Sequence, residues 1–417
     1  MFLADDIPPH SPGGAGIIAW RVACAFRDAG AGHDVHVITT TPGAPRQFVQ
    51  DGISVIAIHA GYPERWRGWL SLYNPQVMRP FKEALRDIQP DVINAHNVHM
   101  NLSYASLVVA SKMGIPVTYL AHDVMPFAYG KINYFIEPER CGPVDYRLPR
   151  GHNLRMMRFR YNPIRNLVIR RVLTRHTRIR TAVSDALRTA LEANGLPPFR
   201  VVYNGVDVDD FPRPAEAVID NLRERLNLQG RQVIFFGGRL TEGKGSRQLL
   251  EALNEAVKTV PDLTLLALSA TPIDQKLLSG LDNLRDEHLC EGGWLDGEEL
   301  LAAYYVADMV TVPSIIFDSL PTVILEAMAV GKPVIATCYG GALETVIDGE
   351  TGFVINPFDT AQFAEKIVAL ASDADLRARF GMAGRHRLQA NFSLAKQVAQ
   401  LTAIFQEAIS GKGSPSM

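Results

Sequence analysis

The sequence predicts an α/β protein of two doubly wound domains, and three observations carry that expectation. Strand-like and helix-like segments alternate along nearly the whole chain, which implies parallel sheets covered by helices on both faces. At 417 residues the chain is too long for one ordinary core. A turn-rich stretch at residues 204–214, with Phe211-Pro-Arg-Pro214, separates two such alternating series.

The first series opens on Met1-Phe-Leu-Ala4. That is short for a first strand and leaves open that the native start precedes Met1. A loop at 5–16 follows. Residues 34–39, 92–95 and 117–121 read as short β-branched strands, with helical patterns at 17–28, 76–88 and 103–113 between them. The second series has strands at 233–236, 263–268, 309–312 and 334–337. The expected domains are 1–208 and 209–393. A last helix at about 394–410 crosses back to the first domain, and 411–417 is a disordered tail.

The composition is ordinary for a globular protein, with 47% hydrophobic and 21% charged residues. No apolar run reaches membrane-spanning length, and no charged leader precedes an apolar stretch. The expectation is a cytoplasmic protein. Cys24, Cys141, Cys290 and Cys338 are scattered without metal-ligand spacing, which suggests reduced, structural thiols.

A net charge of −2 hides an asymmetry: 24 basic against 18 acidic residues up to Pro212, and 18 against 26 beyond it. The excess concentrates at 140–180. There Arg140, Arg147, Arg150, Arg155, Arg158, Arg160, Arg165, Arg170, Arg171, Arg175, Arg178 and Arg180 face one acid, Asp145. Two readings stand side by side: a solvated helix surface, or a surface that meets anionic lipid headgroups at the inner face of a membrane or a phosphorylated acceptor. Nothing points to nucleic acid.

The most informative stretch is Pro313-Ser-Ile-Ile-Phe-Asp318-Ser-Leu-Pro321-Thr-Val-Ile-Leu-Glu326. A strand runs into a polar loop carrying Asp318. Pro321 opens a helix, because the first helical N–H has no intrahelical partner to lose. Ser319, Leu320 and Thr322 then lie at a helix N-terminus, where free N–H groups and the dipole favour phosphate. Glu326 sits further along an otherwise apolar helix, where a carboxylate needs hydrogen-bond donors. Ribose hydroxyls would supply them.

Two glycine loops repeat the strand–loop–helix theme. Gly13-Gly14-Ala-Gly16 allows close backbone approach before a helix. A dehydrogenase would want an acid after the second strand, where Thr39-Thr40-Thr41 stand instead. Gly237-Gly238-Arg239-Leu-Thr-Glu-Gly243-Lys244-Gly245 places two cations on a flexed loop, a set suited to a diphosphate. It lacks the P-loop register. His122-Asp123 ends one strand, and His96 and His99 end another. Ligands bind at such carboxyl ends, but the spacing is insufficient for a metal. Asp207-Val-Asp209-Asp210 contains an acid pair that binds cations in some sugar transferases. Here it lies in a turn, and no metal site is assigned.

In order, these residues resemble the retaining family 4 glycosyltransferases, whose GT-B fold sets two Rossmann-like domains facing a central cleft. The likeness runs from Gly13-Gly14 to Phe392-Ser393. It includes Gly32-His33-Asp34-Val35, Asn204-Gly205-Val206-Asp207, Gly340-Gly341 with Glu344, and Asp348-Gly349-Glu-Thr-Gly352. The resemblance implies that Arg239 and Lys244, with Gly238, hold a donor diphosphate. It implies that Glu326 binds the ribose and Asp318 the donor sugar. Backbone N–H groups of Leu320 and Thr322, on either side of Pro321, would face the sugar and distal phosphate. Gly293, Trp294 and Leu295 would border the base, and Gly14 and His122 would reach the sugar from the other domain. The family's usual pair is Glu and Glu; here its first member is Asp318, one methylene shorter. A turn that often contains glycine reads Ser269-Ala270-Thr271.

The expected activity is retaining, metal-independent transfer of a hexose-type sugar from a UDP- or GDP-linked donor to a saccharide or lipid-linked hydroxyl. The nucleotide sugar is a substrate, and no cofactor is implied. A sugar-nucleotide epimerase and an inactive sugar-nucleotide binder share the expected fold and remain the alternatives.

Overall fold

The structure is a computed structural model that describes residues 1–9, 11, 14–30, 32–130, 132–142, 144–238, 240–269 and 272–411. The chain divides into two units. The first comprises Met1–Lys131, Tyr146–Asn204 and Leu394–Met417; the second comprises Ile132–Asp145 and Gly205–Ser393. Residues 412–417, read as a tail, lie outside the described residues.

Among the described residues the first unit holds an eight-stranded sheet in the order β3-β4-β2-β1-β5-β6-β7-β8. The strands are β1 (Phe2–Leu3), β2 (His36–Thr41), β3 (Arg46–Gln50), β4 (Ile53–His59), β5 (Ile93–Ala95), β6 (Val117–Ala121), β7 (Ile179–Ala182) and β8 (Arg200–Val201). All pair in parallel except β3 with β4. That antiparallel hairpin departs from the all-parallel expectation. Its turn is Asp51-Gly52, both with positive φ (46° and 73°), the signature of a tight hairpin. The helix Gly14–Asp28 packs Ile18, Val22 and Phe26 on this sheet, and Leu401, Ile404 and Ala408 of the helix Leu394–Ser410 join the same core.

The second unit holds a parallel sheet in the order β11-β10-β9-β12-β13-β14. These are β9 (Gln232–Phe236), β10 (Leu263–Ala267), β11 (Leu289–Glu291), β12 (Met309–Val312), β13 (Val334–Thr337) and β14 (Gly352–Ile355). Its strands are near-continuous apolar runs because both faces are covered; Phe236, Leu249, Leu265 and Phe363 share one core.

Two expectations need correction. The segment 132–145, which the sequence places in the first domain, belongs to the second unit. There Phe317 N–H donates to Ile132 O at 2.7 Å, Tyr339 Oη to Glu137 O at 2.8 Å and Asn356 Nδ2 to Pro138 O at 2.7 Å. Nor are all cysteines reduced: Cys141 on this strap and Cys338 after β13 form a disulfide, while Cys24 and Cys290 are free. The partners are 197 residues apart, so no local spacing could announce the bond.

Candidate functional site

In the second unit β9 is central. β10 lies on one side and β12 on the other, so the loops after β9 and β12 diverge there. Such a switch point leaves a crevice at the carboxyl ends of the strands. Both loops singled out in the sequence begin at this point.

The two loops interlock through their backbones. Ile315 N–H donates to Gly243 O at 3.1 Å. Gly245 has φ +75°, and a Cβ there would lie 1.9 Å from Pro313 O. Only glycine meets both conditions. Across the join, Lys244 Nζ donates to Asp318 Oδ2 at 2.5 Å, with side chains 29% and 21% exposed. The cation and the carboxylate expected to serve phosphate and sugar are therefore brought together. A third loop, after β13, supports them: Gly341 N–H donates to Asp318 O at 2.9 Å.

The helix runs Thr322–Ala329, with Pro321 as its N-cap residue and no side-chain cap. Pro321 thus stands one position ahead of the expected first turn. Ser319 and Leu320 are buried at 6% and 5%, so any ligand there meets backbone rather than the leucine side chain. Gly238 has φ +148°, and a Cβ on it would meet open space. Arg239, the other predicted phosphate ligand, lies outside the described residues.

Glu326 has a protein partner that sequence reasoning missed: buried Tyr304 donates to its Oε2 at 2.7 Å. Tyr304, in the helix Gly297–Val306, reads as a core aromatic in Ala302-Ala303-Tyr304, and it does pack edge-on against Phe235. Its hydroxyl orients the carboxylate. Tyr304→Phe is therefore expected to weaken nucleoside-diphosphate binding less than Glu326→Gln, with both variants folded. Calorimetry checks this, and unchanged affinity in Glu326→Gln would return Glu326 to a purely structural role.

Gly293, Trp294 and Leu295 follow β11, an edge strand. Gly293 takes φ +72°. Trp294 is 71% exposed and available for stacking, whereas Leu295 is buried and serves the core.

In the first unit the switch point lies at β1, between β2 and β5. Gly14 is the exposed first residue of its helix, and Gly13 lies outside the described residues. A Cβ on Gly16 would sit 2.3 Å from Asp6 Oδ1, so glycine lets this helix start close to the β1 loop. Asp5, just beyond that strand, accepts N–H bonds from Met100, Asn101 and Leu102 at 2.7, 2.9 and 2.7 Å. It clamps the β5 loop, a role invisible in a segment read only as loop. A cavity of about 770 Å³ opens beside it, lined by Asp6, Thr39, Thr41, Arg46 and Gln50 among others.

The three histidines do gather. His96 Nδ1 and His122 Nε2 are 2.9 Å apart with stacked rings, and His99 Nε2 is 3.6 Å from Asp123 Oδ2. Asn97 Nδ2 donates to Asp123 Oδ2 at 2.9 Å. Burial holds His99 and His122 down to about 4 and His96 well below its ordinary value. These are neutral rings that hydrogen-bond rather than cations. Asp207 accepts from Asp209 N–H and so spends itself on the turn.

The signs of these shifts give a pH expectation. A lowered histidine pKa means that the unfolded chain takes up protons first, so this stability is full above about 6.5 and lost as pH falls towards 4. His99 and His122 should each contribute roughly 3 kcal/mol. Burial pushes Asp5 up to about 7; its contribution has the opposite sense, present below about 4 and lost as pH rises through 7. The three histidines outweigh it, so Tm should fall between pH 6.5 and 4.5, and more steeply in Asp5→Asn. A flat or rising Tm over that range would contradict neutral buried histidines.

Residues 12–210 match the family model described as Glycosyltransferase Family 4, and residues 218–387 match Glycosyl transferases group 1. One relative is the GDP-mannose-dependent alpha-(1-6)-phosphatidylinositol monomannoside mannosyltransferase of Mycolicibacterium smegmatis. It is 34% identical over 247 residues, covering 58% of this chain and 61% of its own. Glycogen synthase of Mycobacterium tuberculosis is 25% identical over 436 residues, covering 100% and 96%. The chain spans half to about six tenths of the length of the other curated relatives considered with the first. Among solved structures, Anabaena Alr3699/HepE in complex with UDP and glucose superposes with TM-score 0.70 at 22% identity, covering 97% of this chain and 98% of that one. Sucrose-phosphate synthase from Thermosynechococcus elongatus superposes with TM-score 0.73 at 20% identity, covering 98% of each chain. Two consecutive glycosyltransferase family models thus match the chain in order, and its two Rossmann-like units have the GT-B fold.

Proposed function

We propose that the protein transfers a hexose-type sugar from a UDP- or GDP-linked donor to a hydroxyl with retention of anomeric configuration. The observation that carries this reading is the Lys244–Asp318 pair at the β9/β12 switch point, beside the N-terminus of the helix Thr322–Ala329. Breaking the sugar–phosphate bond builds negative charge on the departing diphosphate. Preorganised cations and N–H dipoles lower that barrier. Lys244, Arg239 and the free N–H groups at Thr322 and Val323 fill this role, and Asp318 takes the sugar hydroxyls. In the first unit His122 is held neutral by burial, a hydrogen-bonding group rather than a cation. With no enzymic nucleophile assigned, the acceptor enters on the face that the phosphate leaves, and the phosphate oxygen takes its proton.

The donor and acceptor classes find support in relatives. The mycobacterial relative's name specifies GDP-mannose and a phosphatidylinositol mannoside, and the Anabaena structure holds UDP and glucose. We read the acceptor as a saccharide or a lipid-linked saccharide, in cell-surface polysaccharide or glycolipid synthesis. The 770 Å³ cavity beside Asp6 and Arg46 is its candidate seat. A thermal-shift panel of nucleotide sugars tests the donor, since a ligand that binds the folded state raises Tm by mass action. Full activity is expected in EDTA because Lys244 and Arg239 supply the positive charge, and NMR of the product should show the donor's anomeric configuration. Metal-reversible loss or an inverted product would overturn the mechanism. Release of an epimerised sugar nucleotide without acceptor would favour an epimerase.

A further inference from the structure

The arginines at 140–180 do not form one surface. Arg140 lies in the second unit. Arg165 is buried, donating to Met125 O and Ala128 O. Arg178 donates to Ala408 O, and Arg180 to Leu173 O and Thr177 O. Those four are spent on structure or stand elsewhere. The exposed remainder includes Arg155, Arg158, Arg160, Arg170 and Arg171, in a stretch from 151 to 171 that contains no acid.

The same stretch carries large apolar side chains in the open. Phe159 is 86% exposed, Leu167 67%, Met156 63% and Leu154 52%. A second segment joins them from far away in sequence. Trp66 and Trp69 are 50% and 46% exposed, and their turn packs on the first. Asn162 Nδ2 donates to Gly68 O at 2.9 Å. A Cβ on Gly68 would lie 3.0 Å from Arg160 O. Glu64, the acid nearest in sequence to these tryptophans, is paired with Arg67 at 3.7 Å. Arg158 holds φ +49°, a conformation that L side chains rarely adopt, at the turn immediately before Phe159.

Scattered exposed apolar residues need no explanation. Six of them on two segments that pack together, interleaved with cations and with no acid between residues 151 and 171, do. Soluble partners with apolar grooves would not require so uniform a charge. A bilayer with anionic headgroups does: tryptophan and phenylalanine seat at the headgroup boundary, and arginines meet the phosphates beside them. No helix among the described residues is long and apolar enough to cross a membrane, so this surface lies on a bilayer rather than spanning one. We propose that the first unit docks on anionic membranes through a wedge of Trp66, Trp69, Met156, Phe159 and Leu167, ringed by Arg155, Arg158, Arg160, Arg170 and Arg171. This deepens the arginine reading by adding insertion to attraction, and it does not rest on the transfer reading, because binding is read without donor or acceptor.

The test uses the full chain and vesicles of phosphatidylcholine with and without phosphatidylglycerol. Sedimentation should show binding to the anionic vesicles at low salt, weakened but not abolished by high salt, because apolar insertion is not screened. Replacing three of the ring arginines, Arg155→Ala/Arg158→Ala/Arg160→Ala, should cost roughly a hundredfold in partition at low salt. Phe159→Ser/Leu167→Ser should lose at least tenfold while keeping its Tm, since both side chains stand in solvent. Brominated lipids should quench tryptophan fluorescence, and the quenching should vanish in Trp66→Phe/Trp69→Phe. Equal, negligible binding to both vesicle types overturns the proposal. So does wild-type binding by Phe159→Ser/Leu167→Ser, or a dimer in velocity sedimentation that this variant abolishes, which would make the face a self-association surface.

Discussion

Lys244→Ala should lower sugar transfer by about two to three orders of magnitude, the scale for losing one group that stabilises charge developing in the transition state. The fold should barely register the change. Lys244 and Asp318 are both partly solvent-exposed, and such pairs contribute roughly 0.2–1 kcal/mol to stability. That contrast is the diagnostic: kcat falls steeply while Tm moves by only a few degrees. Lys244→Arg should not restore the rate, because a planar fork cannot replace a compact ammonium 2.5 Å from Asp318. Arg239→Ala should show a loss of the same order. Near-wild-type steady-state kinetics in both alanine variants would remove the phosphate clamp from the mechanism.

Gly341→Ala should be nearly as damaging to transfer, although Gly341 carries no chemical group. A Cβ there would lie 1.8 Å from Ser319 O, and at Gly340 the same atom would lie 2.3 Å from Asp318 O. Backbone cannot swing aside as a flexible side chain can. The loop holding Asp318, Ser319 and Leu320 must shift by about an ångström, and misplacement of that size costs on the order of a hundredfold in rate. Stability should drop by about 1–3 kcal/mol, the usual cost of overpacking. Gly349→Ala is the control. It has φ +72° with nothing within 4 Å, so it should lose only the backbone preference, about 1 kcal/mol, and keep full activity. If Gly349→Ala inactivated the protein as Gly341→Ala does, the close approach behind Asp318 would not be the cause.

The chain itself declared its fold class. Apolar runs such as Val117–Ala121 and Met309–Val312 are strands at those positions in the structure, because strands buried on both faces of a parallel sheet must be apolar throughout. Lys244, Asp318 and Glu326 were legible because their charges sit on glycine-flexed loops or an apolar helix, where ordinary packing gives no reason for them. The β3–β4 hairpin was not read from the sequence: β3 buries none of its residues and β4 alternates buried with half-buried ones, so neither strand reads as continuous buried core.

What only the tertiary structure decided are pairings between distant segments, which leave no periodic trace. Tyr304 looks like one more core aromatic until its hydroxyl is seen to meet Glu326. Asp5 is a loop acid until three N–H groups from 100–102 converge on it. Cys141 finds Cys338 because the strap 132–141 lies along the loops after β12 and β13. The arginine cluster, uniform in sequence, is sorted by burial into structural cations and a surface with tryptophans from 90 residues upstream. Local pattern reports how a segment hides its apolar face; it cannot report which distant backbone or side chain completes a charge, a clamp or a patch.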